Sequence, residues 1–147
     1  MRASDLVVPY PTVALSTPAM DTVHLLAEAD LPGLIVVDDA GAPFAVLPGT
    51  QVLRLAVPSY FQDDPNLTHL VDEAAADVFI RELGARTVRE LLPPQPHELP
   101  VVPPEATALE IAALMARTRS PLVAVVDGGT LLGAVTLHGL LDRAVPA

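Results

Sequence analysis

The sequence predicts an α/β (α+β) fold made of two pseudo-symmetric β-α-β-β-α repeats. The first observation is internal repetition. Pro32 to Val46 read PGLIVVDDAGAPFAV and Pro121 to Val135 read PLVAVVDGGTLLGAV. The offset from Asp38 to Asp127 is 127 − 38 = 89, and it holds without a gap from Val13/Val102 to Arg54/Arg143. The second is that the same order of helical and β-type patterns occurs twice. The third is turn chemistry: in each copy an Asp followed by Gly separates two β-rich runs, a hairpin signal. The expected domains are repeat 1 over 1–61, a connecting helix over 62–86 and repeat 2 over 87–147.

Each repeat begins with a short extended piece, Thr12–Leu15 or Pro100–Val102. In the first copy Thr17 is expected to cap a helix with Pro18 at its first position, running to about Ala29. In the second copy Thr107-Ala108-Leu109-Glu110 is a capping-box pattern, and the helix runs to about Arg119. The hairpins follow as Leu34–Asp38 with Phe44–Leu47, and Leu122–Asp127 with Leu131–Thr136. Short helices, Thr50–Val57 and His138–Val145, close the copies, with Pro58 and Pro146 as stops. Between the copies, Asp63-Asp64-Pro65 opens a helix to Leu83 with Gly84 beyond it. Leu67, Leu70, Val71, Ala74 and Val78 form one apolar stripe on that helix, which is expected to dock on the body of the protein. Thr87–Leu92 reads as a brief helical turn and Pro93–Pro100 as a stiff Pro-rich crossover, with Asp5–Pro9 its counterpart in the first copy. The helix after Thr107, ALEIAALMA, is apolar nearly all round and is expected to be buried on more than one side, including against a second subunit.

Composition narrows the function classes. Of 147 residues 51% are hydrophobic, and mean hydropathy is +0.46. The longest apolar runs are nevertheless far short of the roughly 20 residues that span a bilayer, so no membrane insertion is expected. The N-terminus lacks the apolar stretch of a secretion signal. With no Cys there is neither a disulfide framework nor thiol chemistry, and cytoplasmic residence is expected. A net charge of −10 with eight Arg and no Lys repels a phosphate backbone, which argues against nucleic acid as a partner.

The order strand, helix, hairpin, helix, given twice, resembles a tandem cystathionine β-synthase (CBS) domain pair, or Bateman module. The residues that carry the resemblance are Arg119-Ser120-Pro121-Leu122-Val123-Ala124-Val125-Val126-Asp127 with Leu132-Gly133-Ala134-Val135-Thr136, and Asp30 to Asp38 in the first copy. The run from Leu6 to Pro65 resembles stand-alone actinobacterial proteins of this type. The resemblance implies a regulatory, non-enzymatic module. It implies a homodimer, a neighbouring enzyme or transporter as the controlled partner, and an adenine nucleotide or adenosyl ligand (AMP, ADP, ATP or S-adenosylmethionine) in a cleft. It places that cleft in the second repeat at Val102, Arg119, Ser120, Pro121, Thr136 and His138.

Both copies depart from the family's ribose signature, Gly-x-hydrophobic-Thr/Ser-x-x-Asp, in which a carboxylate accepts from the ribose hydroxyls. The second copy keeps Thr136 but has Gly139 in place of Asp; the first has Leu47 and Thr50 at those two positions. At the same offset Glu28 and Asp30 correspond to Arg117 and Arg119. Phosphate is therefore favoured at the second copy, where Arg143 and His138 add to the basic side. Alternatively these acids and arginines pair with one another across the pseudo-two-fold. Tyr10 is either a stacking ring or a packed rim residue. No two of His24, His69, His97 and His138 have metal-ligand spacing, so no metal is expected. Gly128-Gly129 leads into a strand, not a helix, and is a hairpin turn instead of a phosphate loop. The alternative function is a ligand-free dimerisation or interaction scaffold.

Overall fold

The computed structural model describes residues 1–56, 63, 64, 66, 77 and 81–144. The apolar stripe Leu67–Val78 of the expected connecting helix lies outside the described residues, as do Val57, Val145 and the stops Pro58 and Pro146; helix is seen again at 81–84. In chain order the elements are α1 (Ala3–Leu6), β1 (Thr12–Ala14), α2 (Ala19–Ala29), β2 (Gly33–Val37), β3 (Pro43–Pro48), α3 (Gly49–Ala56), α4 (Val88–Leu91), β4 (His97–Glu98), β5 (Val101–Val102), α5 (Ala108–Thr118), β6 (Leu122–Asp127), β7 (Thr130–Thr136) and α6 (Leu137–Ala144). The mixed α/β class and the repeated strand–helix–hairpin–helix order are as expected from the sequence. The strands form a four-stranded sheet in the order β1-β2-β3-β4 and a three-stranded sheet in the order β5-β6-β7.

The chain folds into two compact units. The first comprises Met1–Thr12, Ile35–Val46 and the chain from His97 onward. Its sheet joins β5 to β6 in parallel, Val102 opposite Val125, and β6 to β7 antiparallel, Leu122 opposite Thr136, with a bulge between Val125 and Val126. Side chains alternate across a strand. Val123, Val125 and Val135 therefore face Leu6, Ile111, Met115 and Leu140. Leu122, Ala124 and Ala134 face Ile35, Val46 and Leu99. Burial of both faces of β6 explains its unbroken apolar run, LVAVV. The Thr107 capping box forms as the sequence predicts: its hydroxyl accepts from Glu110 N at 3.2 Å and Glu110 accepts from Thr107 N at 3.3 Å.

The N-terminal arm is bonded into this unit although it precedes the other repeat. Ala3 N donates to Ala106 O at 2.7 Å, Ser4 N to Pro104 O at 2.9 Å, and Ala108 N to Met1 O at 2.9 Å. Val8 and Ala134 exchange both backbone bonds at 3.0 Å, and Arg143 donates to Asp5 O. The second unit, Val13–Leu34 with Leu47–Pro96, is tied together in the same way by α4. Val88 N donates to Thr17 O, Arg89 N to Leu15 O and Ala19 N to Arg86 O, each at 2.9 Å. Each repeat's leading arm is thus carried by the other repeat's helix entrance.

Two local expectations are corrected. Thr17 does not cap α2: its hydroxyl accepts from Ala14 N at 2.9 Å, a tight-turn bond, and Pro18 occupies the cap position. The Pro-rich stretch 93–100 is not only a spacer, because His97 and Glu98 form β4, antiparallel to β3 with Val46 opposite His97 and Ala45 opposite Glu98. Proline cannot donate to a ladder, and the two non-proline residues supply the pairing.

Candidate functional site

The C-terminus of α5 builds the candidate site. The helix ends at Arg119, whose φ of +56° is left-handed, a conformation that glycine adopts at less cost. The counterpart in α2 is Asp30, φ +50°. The reversal swings the chain into Ser120 and Pro121 and then β6. Leu137 N donates to Pro121 O at 2.9 Å, which fixes the start of α6 beside this corner. In the second unit Pro48, which has no N–H, stands at the position of Leu137, and Gly49 N makes the corresponding bond to Pro32 O at 3.2 Å.

Between α5 and α6 this arrangement leaves an open groove of about 630 Å³. Arg119, Ser120 and Pro121 line one end; Ala112, Ala116 and Leu141 are among the residues lining the rest. The groove is mostly aliphatic with a single cation. Among the described residues no hydrogen bond or ion pair engages the Arg119 side chain, so an anion would meet a guanidinium with its donors uncommitted. The Ser120 hydroxyl is committed, donating to Leu122 O at 2.7 Å and accepting from Leu122 N at 3.3 Å.

The other three expected residues are placed differently. Val102 is 7% exposed and belongs to the core of the first unit. Thr136 Oγ1 accepts from Gly139 N at 2.9 Å and so caps α6. His138 is exposed on the first turn of α6 and does not line the groove. Gly139 offers no carboxylate on the first turn of α6. Tyr10 lies away from the groove, partly buried against the Ile35–Leu122 cluster and lining a separate cavity of about 570 Å³ with Gly41 and Gly129. That placement fits the rim residue. A third groove, about 650 Å³, runs between β4–β5 and α5, where His97, Glu98 and Arg117 meet. Among the described residues no cluster of His, Cys, Asp or Glu could hold a metal ion, and no helix is long and apolar enough to cross a membrane.

The apolar wall of the groove, Leu137, Leu140 and Leu141, is not among the residues expected from the sequence. Leu137, Leu140 and Leu141 stand at i, i+3 and i+4 at the start of α6, a spacing that signals one helix face. What periodicity could not tell is that this face, with Ala112 and Ala116 of α5, borders a groove instead of filling a core.

Comparison with known proteins agrees with the fold. A CBS domain family model matches residues 88–145. The chain is similar to a CBS domain-containing protein of unknown function from Kribbella flavida, with 50% identity over 99% of both chains and a TM-score of 0.89. It is similar to CBSX2 solved in complex with AMP, with 26% identity over 98% of this chain and 96% of that one and a TM-score of 0.67. CBSX2 from Arabidopsis thaliana superposes with a TM-score of 0.73 at 24% identity, over 98% and 94% of the two chains. No curated protein matches.

Proposed function

Since the chain belongs to the CBS-domain family, we propose that it is a regulatory CBS-pair module that binds an adenine nucleotide or adenosyl compound at the Arg119 corner. In this reading it is a cytoplasmic homodimer, has no catalysis of its own, and passes ligand occupancy to a separate enzyme or transporter. The observation that carries the ligand reading is Arg119 itself. A residue with a Cβ is held in the left-handed region at about 1 kcal/mol or more relative to glycine, and its uncommitted guanidinium lines the groove. The similarity to a CBS protein that holds AMP points to the same ligand class.

A panel of AMP, ADP, ATP and S-adenosylmethionine, read by thermal shift and calorimetry, tests it. A ligand at about 100 times its Kd adds roughly 2.7 kcal/mol, a rise of several degrees in Tm. No shift with any of the four at millimolar concentration would sink the ligand reading. Arg119→Glu is expected to abolish binding. Arg119→Gly separates strain from function: Tm should rise slightly, by the equivalent of about 0.5–1 kcal/mol, while affinity is lost. Asp30→Gly should give the same small rise with affinity unchanged. If Arg119→Gly bound as well as the parent, the anion site would lie elsewhere.

A ligand-free scaffold is the second reading. It is favoured by the missing acceptor at Gly139 and by the Thr136 hydroxyl already spent on the α6 cap.

A further inference from the structure

The groove of about 650 Å³ between β4–β5 and α5 lies wholly within the first unit. Its construction follows from local pairing. Val46 opposite His97 and Ala45 opposite Glu98 tie β4 to β3. Ala124 N donates to Pro100 O at 2.9 Å, which fixes the turn into β5. On α5, Leu114 and Arg117 stand at i and i+3 and so share a face, and that face borders the groove. Leu99, Val101 and Leu114 give it an aliphatic wall, while Glu98 and Arg117 bring opposite charges to the same space. Both are exposed, and among the described residues no hydrogen bond or ion pair engages the side chain of either. At the 89-residue offset Glu98 corresponds to Pro9 and Arg117 to Glu28, so the first copy carries no such pair.

We propose that this groove binds a free α-amino acid with an aliphatic side chain, one per chain. The argument is complementarity. The Arg117 guanidinium presents a fork of N–H donors that matches a carboxylate. The Glu98 carboxylate is acceptor-only and matches an ammonium group. Paired with each other, the two would offer a ligand nothing; left apart on one groove, they meet the two ends of a zwitterion. Phosphate drawn to Arg117 would meet Glu98 as a like charge, and a simple amine drawn to Glu98 would meet Arg117. An amino acid satisfies both and lays its side chain on Leu99, Val101 and Leu114. The volume is within the roughly 300–1,000 Å³ of small-molecule sites, which combine apolar walls with a few polar groups. No residue lines both this groove and the one at Arg119, so the inference rests neither on nucleotide binding nor on a dimer.

Calorimetric titration of the full chain with L-leucine, L-isoleucine, L-valine and L-methionine, each to about 10 mM, tests it; at least one should bind, one per chain, with Kd on the order of 0.1–1 mM, in keeping with so few ligand atoms in an open site. For the tightest of them, the analogue without the amino group and the analogue without the carboxylate should each bind at least ~10-fold more weakly. Glu98→Gln and Arg117→Gln, both at exposed positions, should keep the parent's circular dichroism and Tm and weaken the amino acid at least ~10-fold. Glu98→Gln should leave the affinity of the deaminated acid unreduced, a selectivity that general damage to the groove would not produce. Arg119→Gln should leave amino-acid binding unchanged. No binding by any of the amino acids, equal binding of either analogue, or parent affinity in both groove variants overturns the proposal. Loss of binding in Arg119→Gln puts the amino acid in the other groove and overturns it as well. The nucleotide panel is read separately: a chain that takes an amino acid here and no nucleotide keeps this inference and loses the ligand reading above, and the reverse result does the opposite.

Discussion

A chain lacking residues 1–8 is expected to lose the cooperative fold of the first unit. The arm brings Ala3 and Leu6, 0% and 3% exposed, into the cluster with Ile111, Met115 and Leu140. It also closes the backbone bonds to Pro104, Ala106, Ala108 and Ala134. Deleting one buried Leu costs about 2–5 kcal/mol, and each lost backbone bond about 1 kcal/mol net, offset in part by the chain entropy no longer spent on ordering the arm. A net loss on the order of 3–6 kcal/mol is comparable to the whole stability of a domain, about 5–15 kcal/mol. Urea unfolding should show a much lower midpoint, or a first unit that never folds. A synthetic peptide of residues 1–10 in excess should restore part of it. An unchanged midpoint would mean that the arm merely decorates the unit.

The second large effect is expected from Gly133→Ala. Gly133 has φ +150°, a region that side chains with a Cβ rarely enter, and a methyl there would overlap the Val8 carbonyl oxygen and press on Val7 Cγ2 at 3.1 Å. Either the arm leaves β7 or β7 changes its backbone, at roughly 3–5 kcal/mol. Gly128→Ala is the comparison. Its φ of +56° is also positive, but nothing lies within 4 Å of the added methyl, so about 1 kcal/mol is expected. The two predictions are coupled. Where the chain without residues 1–8 retains a measurable unfolding transition, the clash with Val8 is gone and Gly133→Ala should cost about 2 kcal/mol less than in the full chain. Independent, additive effects would show that Gly133 is held by its own strand geometry and not by the arm.

Much of the first level of structure was legible in the residues. The 89-residue offset, the Asp-Gly turns and the capping box at Thr107 are local signals, and each appears where its chemistry places it. The candidate site was legible in part. Arg119, Ser120 and Pro121 come together at one groove, whereas Val102 is core, Thr136 is a cap and His138 faces outward. Strand alternation says that Val102 has one buried face but not which neighbour covers it. A threonine before a helix is equally a ligand donor and a cap until its backbone partners are known.

What the sequence by itself determined is the duplicated α/β scaffold and its asymmetry at the cleft positions, Leu47/Thr136, Asp30/Arg119 and Thr50/Gly139, because periodicity, turn residues and charge are written in the order of the chain. Only the tertiary structure decided that the arms are exchanged between repeats, that Gly133 is required by Val8, that Thr17 serves a turn, and that Leu109 points to solvent while Met20 packs against Gly84. The physical reason is one of range. ASDL is too short to show a helical period, and its partners at Pro104 to Ala108 lie about a hundred residues away; such pairings are chosen by burial and backbone hydrogen-bond satisfaction across the fold, which local propensity does not encode.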